Sequence, residues 1–267
     1  VDIHLQRANA LKVLVRALVA ASEAGGFRIA TLAGGSAHNA IPREASATIA
    51  PKADDVDAIV DALEAELAAL AAEFRSSDPG LAWSVERTGA PEEAWTEESG
   101  GRALALLVAL PHGVLRMSDD IEGLVESSTN LAVASEVDGR LRILMSNRSS
   151  VMSALAAIRR RLRAFASIAG ADVMEKDGYP GWKPDVSSEL LAVMREVCAG
   201  VTGEEPEVGA VHAGLECGII GEKYPGMDMI SFGPQIEFPH SPDERVRIAT
   251  VGPFWNLLVA TLERLAS

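Results

Sequence analysis

Apolar positions recur along this chain with two periods, and the resulting blocks come in a repeating order. Between residues 6 and 24, Leu11, Val13, Leu14, Leu18 and Val19 follow a helical spacing, which predicts an amphipathic helix. Two strand-like runs follow, FRIATLA at 27–33 and REASATIAP at 43–51. Val56, Ile59, Val60, Leu63, Leu67 and Leu70 then line one face of a long helix from about Asp54 to Phe74. LAWSVER at 81–87 reads as a strand that closes the unit. The order then recurs as helix 101–110, strand 129–137, strand 140–146, helix 151–168 and strand 172–177. An Asp138-Gly139 turn sits between the two middle strands, and Asp-Gly between alternating runs is a strong hairpin signal. Two α-β-β-α-β units, about 1–95 and 96–180, would build one antiparallel sheet with helices on one face.

The pattern changes at DGYPGWKPD, residues 177–185, where two prolines and two glycines mark a linker. Over 181–267 the reading is helix 187–200, strand 206–212, short helix 215–221, strand 227–233 and a last helix 242–265. Alternating helices and strands predict part of an α/β domain, too small to stand as a complete one. The fold class is therefore α/β, with a duplicated α+β domain at 1–180 and an α/β segment at 181–267.

Composition narrows the chemistry. The apolar share is 48% and the charged share 23%, the balance of a globular protein. With 24 Lys and Arg against 38 Asp and Glu, the net charge is −14, which disfavours nucleic acid as a partner. No apolar run reaches membrane-spanning length and no signal peptide is read at the start, so neither membrane nor secretion is expected. Cys198 and Cys217 form no CxxC pair and fit buried thiols in a reducing compartment, the cytoplasm. The basic run Arg159, Arg160, Arg161 and Arg163 reads as a solvated helix face.

Four stretches carry candidate chemistry. His240 lies between two prolines in PHSPDE, a rigid setting that suits a metal ligand. The following Ser241-Pro242-Asp243-Glu244 is a capping box, so both carboxylates read as helix-start residues. HAGLECG at 212–218 offers His212, the amide of Gly214, and Glu216 at the start of a short helix whose N–H groups suit a carboxylate; a plain strand-to-helix turn is the competing reading. GGSAHNAIPREA at 34–45 places Asn39 just before Ile41-Pro42, where an asparagine by itself reads as a turn former. Arg148, in LMSNRSS, ends a strand immediately ahead of a helix, and from its own context reads as a surface arginine. In VESSTNLA, Thr129 and Asn130 read as structural.

HAGLECG together with GP…PHSPDE closely resembles the C-terminal end of the Xaa-His (aminoacyl-histidine) dipeptidases. These are dinuclear zinc enzymes in the wider metallopeptidase family that includes carnosinases and acetylornithine deacetylases. The resemblance implies a lid domain, 1–180, inserted in a discontinuous catalytic domain of which 181–267 is the second half and the first half is lacking. It implies a dipeptide substrate, a homodimer and two zinc ions per complete active site, with His240 as the one metal ligand in this chain. It assigns substrate contacts to Asn39, Arg148, His212, Gly214 and Glu216, and no catalytic residue to this chain. The general base and the remaining ligands, a His-x-Asp, an Asp, a Glu-Glu pair and another Asp, are expected upstream. None of the histidines heads a His-x-Asp, and Glu92-Glu93, Glu97-Glu98 and Glu204-Glu205 lie in loop-like contexts. The chain alone should therefore be inactive. A non-catalytic dimerisation or small-molecule-binding module, and a related deacetylase or tripeptidase, remain open alternatives.

Overall fold

The computed structural model describes residues 3–119, 121–176, 178, 181–182, 185–206, 208–209, 216–238 and 243–267. It divides into two compact units, Val1–Ser118 with Val125–Asp177, and Asp119–Leu124 with Gly178–Ser267.

The first unit opens with α1 (Ala10–Ala24), whose start is set by Asn9: its side-chain oxygen accepts from the backbone N–H of Leu11 and Lys12. β1 (Phe27–Gly34) and β2 (Ala45–Pro51) pair antiparallel. α2 (Val56–Glu73) buries Ile59, Leu63, Leu67 and Leu70, the spacing of one helical face. The second helix–hairpin–helix comprises α3 (Glu97–Ala109), β4 (Val125–Val137), β5 (Arg140–Ser149) and α4 (Met152–Ile168), with a short strand β3 (Gly113–Met117) ahead of β4. Asp138 and Gly139 both take positive φ, the turn their sequence predicts. The mixed α/β class with an antiparallel sheet is confirmed.

The core lies between the sheet and the helices. Leu11, Val15 and Leu18 of α1 meet Ile29 and Leu32 of β1, Leu107 of α3 and Leu131 of β4. Fully burying each such side chain stabilises the fold by about 1.5–3 kcal/mol before chain entropy is set against it. From β5, Leu141, Ile143 and Met145 pack onto this core. The period of two along a strand then turns Ser146 and Arg148 to the opposite face.

Two strands expected in this unit are absent among the described residues. Residues 81–87 join no ladder; Trp83 donates from Nε1 to Glu64 and Arg87 pairs with Asp57, so this segment is held along α2 by side chains. Residues 172–176 likewise have no strand partner, and Glu175 instead pairs with Arg159 and Arg163 of α4. β3 was not expected from the pattern.

In the second unit, α5 (Glu189–Thr202) packs on α7 (Val251–Ala266), with Thr261 donating to the sulfur of Met194. Ser188 caps α5 and donates to Asp228, whose other oxygen accepts from the Leu190 N–H. Those two bonds, the Ser188 hydroxyl first, hold the Asp228 carboxyl below the usual range. α6 (Glu216–Lys223) matches the expected short helix. Residues 227–233 form no strand, because no neighbouring strand among the described residues offers them a ladder. The expected helix at 242 is also corrected. Arg245–Val246 pairs with Ile236–Glu237, Glu237 binds both Arg245 and Arg247, and α7 begins only at Val251. Asp243 and Glu244 are therefore not at the start of a helix.

Candidate functional site

β4 organises the site in the first unit. One of its edges is paired with β5 from Ser127↔Ser149 to Val137↔Arg140, with a bulge at Ala132. Its other edge is shared: β3 pairs as far as Thr129, through Gly113↔Thr129, and β1 joins at Ala134, through Gly34↔Ala134. Between these points, Asn130–Val133 have no strand neighbour on that edge, and buried backbone there needs other partners. Asn9 supplies one, donating from Nδ2 to the Leu131 carbonyl at 2.9 Å.

The loop 35–44 crosses this gap. Gly35 has φ +71, and a Cβ placed on it would lie 2.0 Å from the Ala132 carbonyl oxygen. The Gly35 N–H donates to Glu44, and the Ala10 N–H to Pro42, which ties both ends of the loop. At its tip, Ala40 N–H donates to Ala37, and the Ala40 carbonyl accepts from Asn130 Nδ2 at 2.7 Å. Asn39, next to Ala40, is exposed.

Arg148 pairs across the ladder with Ser128, and Asn130 with Ser146. All four therefore share the sheet face opposite the helices. The structure thus brings the Asn39 loop and Arg148, which is half-buried, to one face of the sheet. Glu216 is exposed at the first turn of α6 in the other unit, where a carboxylate complements the helix dipole. His212, Gly214 and His240 lie outside the described residues. Among the described residues, no group of three or more His, Cys, Asp or Glu could hold a metal ion.

A polar cluster that the sequence did not reveal lies beside the loop. Asn9 Oδ1 is committed to capping α1, so its Nδ2 is the donor toward His112 Nδ1, 3.2 Å away. His112 is thereby placed as an acceptor at Nδ1, with its proton on Nε2. Lys12 donates its three protons to the carbonyls of Leu107, Val108 and Leu110 at the end of α3, at 2.6 and 3.1 Å for the first two. Burial lowers Lys12 to about 8. Burial, then the Lys12 charge, lowers His112 to about 4, with the neighbouring Asn130 amide offsetting this in part. Only Asn9 carried a sequence signal, as a cap ahead of a helical pattern. Nothing in the spacing of 9, 112 and 130 joins them.

The His112 shift sets a pH dependence. An unfolded imidazole titrates near 6.5, so between about 6.5 and about 4 the unfolded chain binds a proton that the folded one does not. Stability is complete above that window and falls as pH falls through it. At about 1.4 kcal/mol per pH unit, discounted for the part of the ring that meets solvent, the loss is about 2 kcal/mol. Urea midpoints of wild type and His112→Gln across pH 7 to 4 check this. The wild type should lose stability more steeply, and parallel curves would refute the assignment.

The chain is similar to known proteins in sequence and in fold. Residues 1–75 match the peptidase dimerisation domain. Over 264 residues, 99% of its length, the chain is 38% identical to the cytosol non-specific dipeptidase of Escherichia coli (strain K12) and covers 54% of it. The crystal structure of the aminoacylhistidine dipeptidase from Vibrio alginolyticus is similar with a TM-score of 0.91 and 39% identity, over 98% of this chain and 54% of that one. The chain thus spans about half the length of the relatives it matches.

Proposed function

We propose that this chain, similar along nearly all its length to two dipeptidases, is the lid and C-terminal catalytic segment of a dipeptidase. The observation that carries the reading is the 38% identity over 99% of the chain, and the shared sheet face of Arg148 and the Asn39 loop supports it. The proposed substrates are dipeptides of the Xaa-His type, hydrolysed in the cytoplasm by a homodimer.

In this reading the Arg148 guanidinium binds a substrate carboxylate through paired N–H donors. The Asn39 amide hydrogen-bonds the peptide. His212, the Gly214 amide and Glu216 line the end of the pocket. Such contacts accelerate a reaction by holding the scissile bond in a reactive orientation. The proposed metal is zinc, two per complete site, with His240 as the ligand from this segment. The described residues do not themselves form a metal centre. No helix among the described residues is long and apolar enough to cross a membrane.

The test is zinc content and hydrolysis by the full-length encoded protein, assayed on β-Ala-His and a panel of Xaa-His and other dipeptides. About two zinc per chain with cleavage of the panel is the expected result, and the Xaa-His to non-His ratio reads the specificity. A full-length protein that binds no metal and cleaves nothing, yet dimerises, would establish the rival reading of a non-catalytic module. That rival draws on the dimerisation-domain match at 1–75.

A further inference from the structure

We propose that Asn130 is a positioning residue for Asn39: its side-chain amide clamps the Ala40 carbonyl and so holds the neighbouring Asn39 side chain at the sheet face shared with Arg148. The inference rests on the reading of Asn39 as a substrate contact.

Asn130 stands where the β4 edge has just lost β3 and has not yet gained β1. The ends of loop 35–44 are tied by backbone bonds, whereas in the described contacts the side chain that reaches its tip is Asn130, across 90 residues of sequence. Asn130 is 8% exposed, and its Oδ1 is buried with no hydrogen-bond partner. With Nδ2 committed to Ala40, the oxygen is left buried and without a bond of its own. An amide satisfied at one end and orphaned at the other is a poor choice for stability, since an unpaired buried oxygen is unfavourable. The same amide is a good choice for pinning one exposed carbonyl. The geometry therefore assigns Asn130 to the loop rather than to the core.

The experiment uses the full-length encoded protein carrying Asn130→Leu or Asn130→Ala, with Thr129→Val as a neighbour that loses a buried bond to Asn147 but does not touch the loop. Backbone hydrogen exchange over 36–43, melting temperature and kcat/KM on the best dipeptide are measured. Asn130→Leu, which removes the orphan oxygen, should keep or raise the melting temperature. Both Asn130 variants should speed exchange at the loop tip and lower kcat/KM about tenfold. Combined with Asn39→Ala, they should add no further loss, the mark of residues acting through one another. Thr129→Val should lower the melting temperature and leave loop exchange unchanged. Unchanged loop exchange in the Asn130 variants, kinetic losses that multiply with Asn39→Ala, or equal loosening by Thr129→Val would each overturn the proposal. Faster exchange beside a fully active Asn39→Ala would show that Asn130 holds the loop while the substrate reading of Asn39 is the part that fails.

Discussion

Gly35→Ala is expected to destabilise the first unit by about 4 kcal/mol, enough to unfold many domains of this size. Two effects add. An L-residue at φ +71 is disfavoured by about 1–2 kcal/mol. The new Cβ would also sit 2.0 Å from the Ala132 carbonyl oxygen and 3.2 Å from Pro42 Cγ. The oxygen belongs to a bulged position of β4 that β5 skips, bracketed by the Leu131↔Met145 and Val133↔Leu144 pairs, so it can shift only as far as those two pairs allow. Relief would have to come from β1, at the expense of the Gly34↔Ala134 pair that joins the two hairpins into one sheet; overpacking of this kind typically costs about 1–3 kcal/mol. Gly139→Ala is the control: φ is +70 but nothing lies within 4 Å, so about 1 kcal/mol is expected. Urea denaturation of the three proteins decides it. If Gly35→Ala unfolds no more easily than Gly139→Ala, the close approach at Ala132 is wrong.

That close approach could not have been read from the chain. Gly34-Gly35 signalled a break in the strand, and the break is there, but the reason for it is a carbonyl about a hundred residues away in sequence. The same limit explains the polar cluster: Asn9, His112 and Asn130 meet because β3 stops short of Asn130 and β1 begins after it, a register detail with no local signature. Helices were legible because their apolar faces are written within themselves, as in Ile59, Leu63, Leu67 and Leu70. The β4–β5 hairpin was legible because its turn residues are local as well.

Strands are another matter, since an alternating run becomes a strand only if an edge is free to receive it. LAWSVER alternates well, yet Leu81 and Val85 reach the core while the backbone joins no ladder. Met227–Gly233 is apolar enough for a strand and has none beside it among the described residues. Conversely GVLRM, too short to notice, became β3 because β4 had an open edge at Val125–Thr129. For the candidate site, Asn39 and Arg148 were visible only through resemblance, and their common sheet face emerges from the Ser128↔Arg148 and Asn130↔Ser146 pairings.

In the full-length protein, Arg148→Ala should lower kcat/KM for dipeptides by roughly 100- to 1,000-fold, from the loss of a paired, charge-assisted contact of about 3–4 kcal/mol. Arg148→Lys should recover only part of this, because an ammonium cannot present two parallel N–H donors to one carboxylate. The position argues for a specific role. Arg148 is half-buried at the end of β5, on the sheet face that faces away from the helices, where Ser128, Asn130 and the Asn39 loop also lie. A cation kept there for solubility alone would be better placed at the exposed hairpin end with Arg140 and Arg142. The substrate series separates the two roles. If Arg148 binds the carboxylate, dipeptide amides lacking that charge should be poor substrates for wild type and no worse for Arg148→Ala, so that the variant loses discrimination between acid and amide. A variant that loses activity equally on both would show that Arg148 shapes the lid without meeting the carboxylate, and an unimpaired variant would remove it from the site.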